Sequence, residues 1–166
     1  MFQATELPGR AYLRFQLALD ITGLFAMERV RESLLVPAGK ITPLPNMPQP
    51  VLGVMSSRNH AFCVVELAEL LGLRSSLVYS RHYHVIVVGI PPSNSQEPSS
   101  NPEQLLGIAV NRIQGMTRLV SENIHSPKEN ISYHLIPYLQ GCAIEKEEQL
   151  LVFDVPAIVS ASLLYE

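Results

Sequence analysis

The stretch Tyr12-Leu13-Arg14-Phe15-Gln16-Leu17-Ala18-Leu19 decides the fold class. Leu13, Phe15, Leu17 and Leu19 fall on one side, with Arg14 and Gln16 between them on the other. Successive side chains of an extended chain point to opposite faces, so this period of two reads as a half-buried β-strand. A turn at Asp20–Gly23 leads into Leu24–Val36, where further strand is expected with Val30 and Leu34 as inward candidates.

Working outward, Pro37 to Pro50 holds five prolines in fourteen residues. Each proline removes a donor and fixes φ, so the segment is an ordered, extended connection and neither a helix nor a central strand. Val51–Met55 and Ala61–Val65 read as two short strands joined by Ser56–His60, with Asn59 suited to positive φ. Glu66–Leu71 has helical composition and stops at Gly72. Leu77–Ile90 is β-rich. Pro91 to Pro102, with four prolines and four serines in twelve residues, reads as a mobile loop between strands.

Gln104–Ile113 returns to strand with Leu106, Ile108, Val110 and Arg112 on one face, and Met116–Val120 forms another. Residues 123–138 are irregular. Gly141–Ile144 and Gln149–Phe153 form a hairpin turning at Glu145–Glu148. Asp154 stands at an N-cap position, with Pro156 in the first turn of a closing helix from Val155 to Leu164 that packs Ile158 and Leu163/Leu164 inward. No repeat of fixed period is visible. Many short strands with few helices predict a mainly-β barrel architecture.

Size and composition bound the function. A chain of 166 residues corresponds to a single domain, 1–166, able to bury a core without disulfide or metal support. Twelve Lys and Arg against fifteen Asp and Glu give a net charge of −3, which excludes the basic footprint of a non-specific nucleic-acid binder. Charged residues make up 16%, and mean hydropathy is +0.17. A surface so poor in charge points to docking on another protein. The start lacks a basic region followed by an apolar run, and no apolar run has the length of a membrane span, so a cytosolic protein is expected. Cys63 and Cys142 form no CxxC and read as reduced, packed thiols.

Little in the chain suggests an enzyme. There is no G-x-S-x-G, no G-x-G-x-x-G and no Walker loop. His82 and His84 would share a strand face and suggest a metal- or ligand-binding β-barrel as the alternative reading, with two solvent-facing histidines on a strand edge as the plainer one. Glu66 and Glu69 read as a solvated helix surface, and Asn130-Ile131-Ser132 carries no meaning in a cytosolic chain. No metal or cofactor is expected. Arg58 is the exception. It sits in a turn, in a region otherwise free of charge from Thr42 to Val65, so it has either a structural carboxylate partner or a role outside the fold.

At this point an ordered set of motifs resembles the CheW-like family of chemotaxis coupling proteins. They are Val30-Arg31-Glu32 for its V-x-E, Ile41-Thr42-Pro43-Leu44-Pro45, Val51-Leu52-Gly53-Val54, Arg58, and Val64-Val65-Glu66-Leu67. Gly107 to Ile113, Ser121-Glu122-Asn123-Ile124 and Gly141 through Val155 follow in the family's order, so the resemblance covers residues 12 to 164. Departures are Arg58-Asn59 for the usual R-G, Glu66 for the aspartate of D-L, Asn111 for that of V-D, and Cys63 for a proline.

The resemblance implies a mainly-β fold of two small five-stranded β-barrel subdomains sharing a core, with short helices including a C-terminal helix. It also implies a non-enzymatic cytoplasmic adaptor, recruited to membrane receptor arrays in chemotaxis, phototaxis or pilus-motility signalling. Such an adaptor couples the cytoplasmic tip of a chemoreceptor to the regulatory domain of a CheA-type histidine kinase. Carried over residue by residue, the partner-binding groove takes in Glu32 and Arg58, with Val30 and Asn59 beside them and Met116 on a further strand.

Overall fold

The computed structural model describes residues 9–73, 80–91, 103–127 and 131–163. Among these, the first half of the chain supplies β1 (Arg10–Ala18), β2 (Ile21–Ala26), β3 (Val30–Pro37), β4 (Val51–Ser57), β5 (His60–Glu66) and helix α1 (Leu67–Leu70). The second half supplies β6 (His82–Ile90), β7 (Gln104–Val110), β8 (Arg112–Leu119), β9 (Leu139–Glu145), β10 (Glu148–Phe153) and helix α2 (Val155–Leu163).

The strands form two five-stranded sheets, β8-β1-β2-β10-β9 and β3-β6-β7-β5-β4. In both orders the pairings run antiparallel, antiparallel, parallel, antiparallel. Each sheet thus combines two strands from one half of the chain with three from the other, and neither half can complete a sheet alone. Each sheet curls until its edge strands meet through side chains. Ser57 of β4 donates to Glu32 of β3, and Thr117 of β8 donates to Glu145 of β9 at 3.2 Å.

Curling gives every central strand two buried faces. Tyr12, Leu24, Leu119, Leu150 and Val152 fill the first barrel; Val36, Met55, Phe62, Val64, Val85 and Val87 fill the second. The outer faces pack on each other in the largest core, which draws Phe15, Phe25 and Phe153 from one sheet and Val65, Ile86, Val88 and Ile108 from the other. That is why Val85–Ile90 reads as an unbroken apolar run: its residues alternate between two cores. At the centre the Phe15 and Phe25 ring centroids lie 4.5 Å apart, with Phe153 6.0 Å from Phe15. Asp154 caps α2, its Oδ1 accepting from the Ala157 N–H at 3.2 Å, and Ile158 is fully buried.

Several local expectations change. Leu19 is 90% exposed rather than inward, because a bulge between Gln16 and Ala18 breaks the alternation and ends β1. The turn is therefore Leu19-Asp20, and Gly23 lies inside β2, where a Cβ would sit 2.5 Å from the Phe15 ring. Glu66 ends β5 and is 5% exposed, so it is not part of a solvated helix surface. Arg112 belongs to β8, beyond the Asn111 joint. Both hairpins turn more tightly than expected, at Arg58-Asn59 and Lys146-Glu147. The strand start at Leu77, the segment after Pro91 up to Pro102, and Leu164 lie outside the described residues.

Candidate partner-binding site

β3 and the β4–β5 hairpin assemble the site. A regular strand would put Val30 and Glu32 on one face, but a bulge intervenes: Val30 pairs with Val88 and Glu32 with Val87, adjacent residues of β6. Val30 therefore packs against the shared core. Glu32 follows the inward face of Leu34 and Val36 and reaches the mouth of the second barrel.

There the Ser57 hydroxyl lies 3.0 Å from both carboxylate oxygens of Glu32. Arg58 Nε lies 3.6 Å from the same carboxylate. The Glu32 side chain is 17% exposed and that of Arg58 79%. The arginine thus has a carboxylate partner and also a head open to solvent. An ion pair this exposed contributes about 0–1 kcal/mol, so it biases the guanidinium toward Glu32 without fixing it. Arg58 and Asn59 both adopt positive φ, 50° and 66°. Two such residues make the twist that continues a right-handed hairpin, and asparagine is the side-chain-bearing residue that best tolerates it.

Glu32, Arg58 and Asn59 therefore come together at one mouth, and Val30 lies behind the bulge on the same strand. Met116 is 60% exposed on β8, an edge strand of the other sheet, where it pairs with Leu13. Sequence reasoning missed Ser57. A two-residue turn at Arg58-Asn59 would have put it on the inward face with Met55, but the expected five-residue joint hid that register.

The equivalent mouth of the first barrel is polar and differently wired. Arg14 pairs with Glu148, which also accepts from Thr22 Oγ1 at 2.6 Å. The Thr22 hydrogen bond, followed by those from Arg14, holds the Glu148 carboxyl below its ordinary range against the opposing effect of burial.

β6 runs between β3 and β7, so His84 is paired on both sides, with Leu35 and Val110, whereas His82 extends past the end of β7 and pairs with Pro37 of β3. Among the described residues no group of three or more His, Cys, Asp or Glu is placed to hold a metal ion. Nor is any described helix long and apolar enough to cross a membrane.

Two curled five-stranded sheets on one core define a mainly-β module, with an ion-paired arginine exposed at a hairpin tip. A family model of the CheW-like domain matches residues 12–163, and the chain belongs to that family, whose members act as adaptors and scaffolds in chemotaxis signal transduction. The fold is similar to the crystal structure of the scaffolding protein TtCheW from Thermoanaerobacter tengcongensis, with a TM-score of 0.71 at 17% identity over 88% of this chain and 89% of that one. No curated protein matches in the sequence comparison.

Proposed function

We propose that this protein is a non-enzymatic adaptor that couples the cytoplasmic tip of a chemoreceptor to the regulatory domain of a CheA-type histidine kinase. Membership of the CheW-like family supports the adaptor role in general. The observation that carries the specific reading is Arg58, tethered to Glu32 yet 79% exposed. A guanidinium biased toward the Glu32 carboxylate and open to solvent is suited to bidentate recognition of a partner's carboxylate, with neighbouring apolar area supplying affinity. Two barrels give the module two faces, one for each partner.

The test is capture of partners from lysate of the source cells with tagged protein, wild type beside Arg58→Ala, read by mass spectrometry. Recovery of both a receptor and a CheA-type kinase by wild type, with the receptor lost in the variant, supports the reading. Equal recovery by both proteins removes Arg58 from the site, and recovery of neither partner ends the coupling proposal.

A further inference from the structure

We infer that Arg31 and Glu103 are positioning residues for the Glu32–Arg58 site, with Glu103 reaching across Gly89 to hold the β3 bulge that turns Glu32 into the barrel mouth. The inference rests on the proposed partner-binding role of that site for its functional meaning, though not for its geometry.

Arg31 is the extra residue of the bulge, standing between Val30 opposite Val88 and Glu32 opposite Val87. Were Arg31 paired in a regular ladder, Val30 and Glu32 would share a face, and the carboxylate could not follow Leu34 and Val36 toward Ser57 while Val30 meets the shared core. A bulge residue lies outside the ladder, so its placement depends on side-chain contacts. Arg31 has them on two sides. Its Nη1 donates to the Glu28 carbonyl at 2.6 Å, fixing the turn that leads into β3. Its Nε lies 2.8 and 2.9 Å from the two carboxylate oxygens of Glu103, and its Nη2 also pairs with that carboxylate.

Glu103 stands just before β7, which is separated from β3 by β6. The bridge therefore passes over the middle strand, and it does so at Gly89. A Cβ there would lie 2.5 Å from both the carboxyl carbon and Oε1 of Glu103. The pairing holds the Glu103 carboxyl below its ordinary range and raises the Arg31 guanidinium, the hydrogen bonds leading in both cases. Both side chains are about one-third exposed, so the pair's consequence is geometric more than energetic: it sets which way the V-x-E segment faces.

The experiment compares Glu103→Ala and Gly89→Ala with wild type. The second variant leaves both charges in place and removes only the path between them. In isolated protein, the Glu32 side-chain carboxyl ¹³C resonance is followed by NMR, beside circular dichroism and melting temperature. The expected result is a displaced Glu32 resonance in both variants with the fold retained. Binding of a purified chemoreceptor cytoplasmic fragment should fall by about 3- to 10-fold in both. An unchanged Glu32 resonance in both variants overturns the inference whatever the binding does. A displaced resonance in a protein whose wild type binds no receptor fragment sustains the positioning role and rejects the receptor reading. Should the alanine variants unfold, Glu103→Gln keeps the shape while weakening the bridge. A Glu32 resonance displaced less than in a Glu32–Ser57 break (Ser57→Ala), but still displaced, supports the inference; an undisturbed one rejects it.

Discussion

Arg58 and Lys146 open two turns of the same shape. Backbone φ is 50° at Arg58 and 66° at Asn59, against 49° at Lys146 and 67° at Glu147. The likeness extends beyond the turns. Each hairpin carries a glycine near its start, Gly53 or Gly141, followed by a residue bridged to an incoming extended segment, Val54 to Thr42 and Cys142 to His125. Each ends at a carboxylate that leads into a helix, Glu66 or Asp154. The chain is thus a structural duplication whose halves exchange strands, with the side chains at the two tips free to diverge.

Arg58→Ala should leave the fold intact. The side chain is largely exposed and its ion pair weak, so the change in unfolding free energy is expected within about 0.5 kcal/mol, while receptor capture is lost. Urea unfolding measured beside the capture assay checks both. A collapse of stability would make the arginine a structural ion-pair member and remove it from the partner site.

Ser57→Ala should release Glu32 from the hydroxyl that meets both its oxygens. The expected loss is about 1–2 kcal/mol of stability, because among the described residues the partly buried carboxylate then keeps the more distant arginine. Ser57→Thr, which retains the hydroxyl, should recover most of it. Equal losses in the two variants would argue for packing over hydrogen bonding.

Glu147→Gly should stabilise the protein by about 1 kcal/mol and Asn59→Gly by less. Positive φ is strained for glutamate, tolerated by asparagine and free for glycine. Melting temperatures of the two variants give the order directly, and the reverse order would contradict the strain argument.

Gly53→Ala and Gly141→Ala should both be severe. At Gly53 a Cβ would run into the Thr42 carbonyl, and at Gly141 it would lie 2.7 Å from that of His125. Both clashes involve backbone, which cannot swing aside. A loss of about 3 kcal/mol or more is expected for each, read by chemical denaturation.

Acid should weaken the fold through Glu103 and Glu148. Their carboxyls are lowered from an ordinary value of 4.5, chiefly by hydrogen bonds from Arg31 and Thr22 respectively. With the folded-state value depressed, the ionised form stabilises the native state above the unfolded value, and that contribution disappears as pH falls through the folded one. Unfolding free energy followed downward from about pH 5 should therefore decline, and decline less in a Glu103→Gln/Glu148→Gln double variant. Identical slopes would assign the acid sensitivity to other groups.

The fold class was legible because strand periodicity is local. Leu13, Phe15 and Leu17 declare their face through their spacing alone, and Asp154 declares a helix start through its side-chain chemistry. The strand partners were not legible. Nothing near β1 announces that it pairs with β8, a hundred residues away. Leu19 misled because a bulge, set by cross-strand register, ended the strand one residue early. Glu66 misled because helical composition around it concealed a β-strand end held in the core.

By itself the sequence determined a mainly-β chain of short strands, a surface poor in charge, and the motif order that resembles the CheW-like family. Those properties depend on residue type and near-neighbour spacing. Only the tertiary structure decided which strands share a sheet, that each sheet borrows strands from both halves, and that Glu32, Ser57 and Arg58 meet at one mouth. The reason is physical: curling a sheet until its edges meet joins residues far apart in the chain. The bulge at Arg31 then selects the face Glu32 presents, and the side chains that hold it lie on other elements.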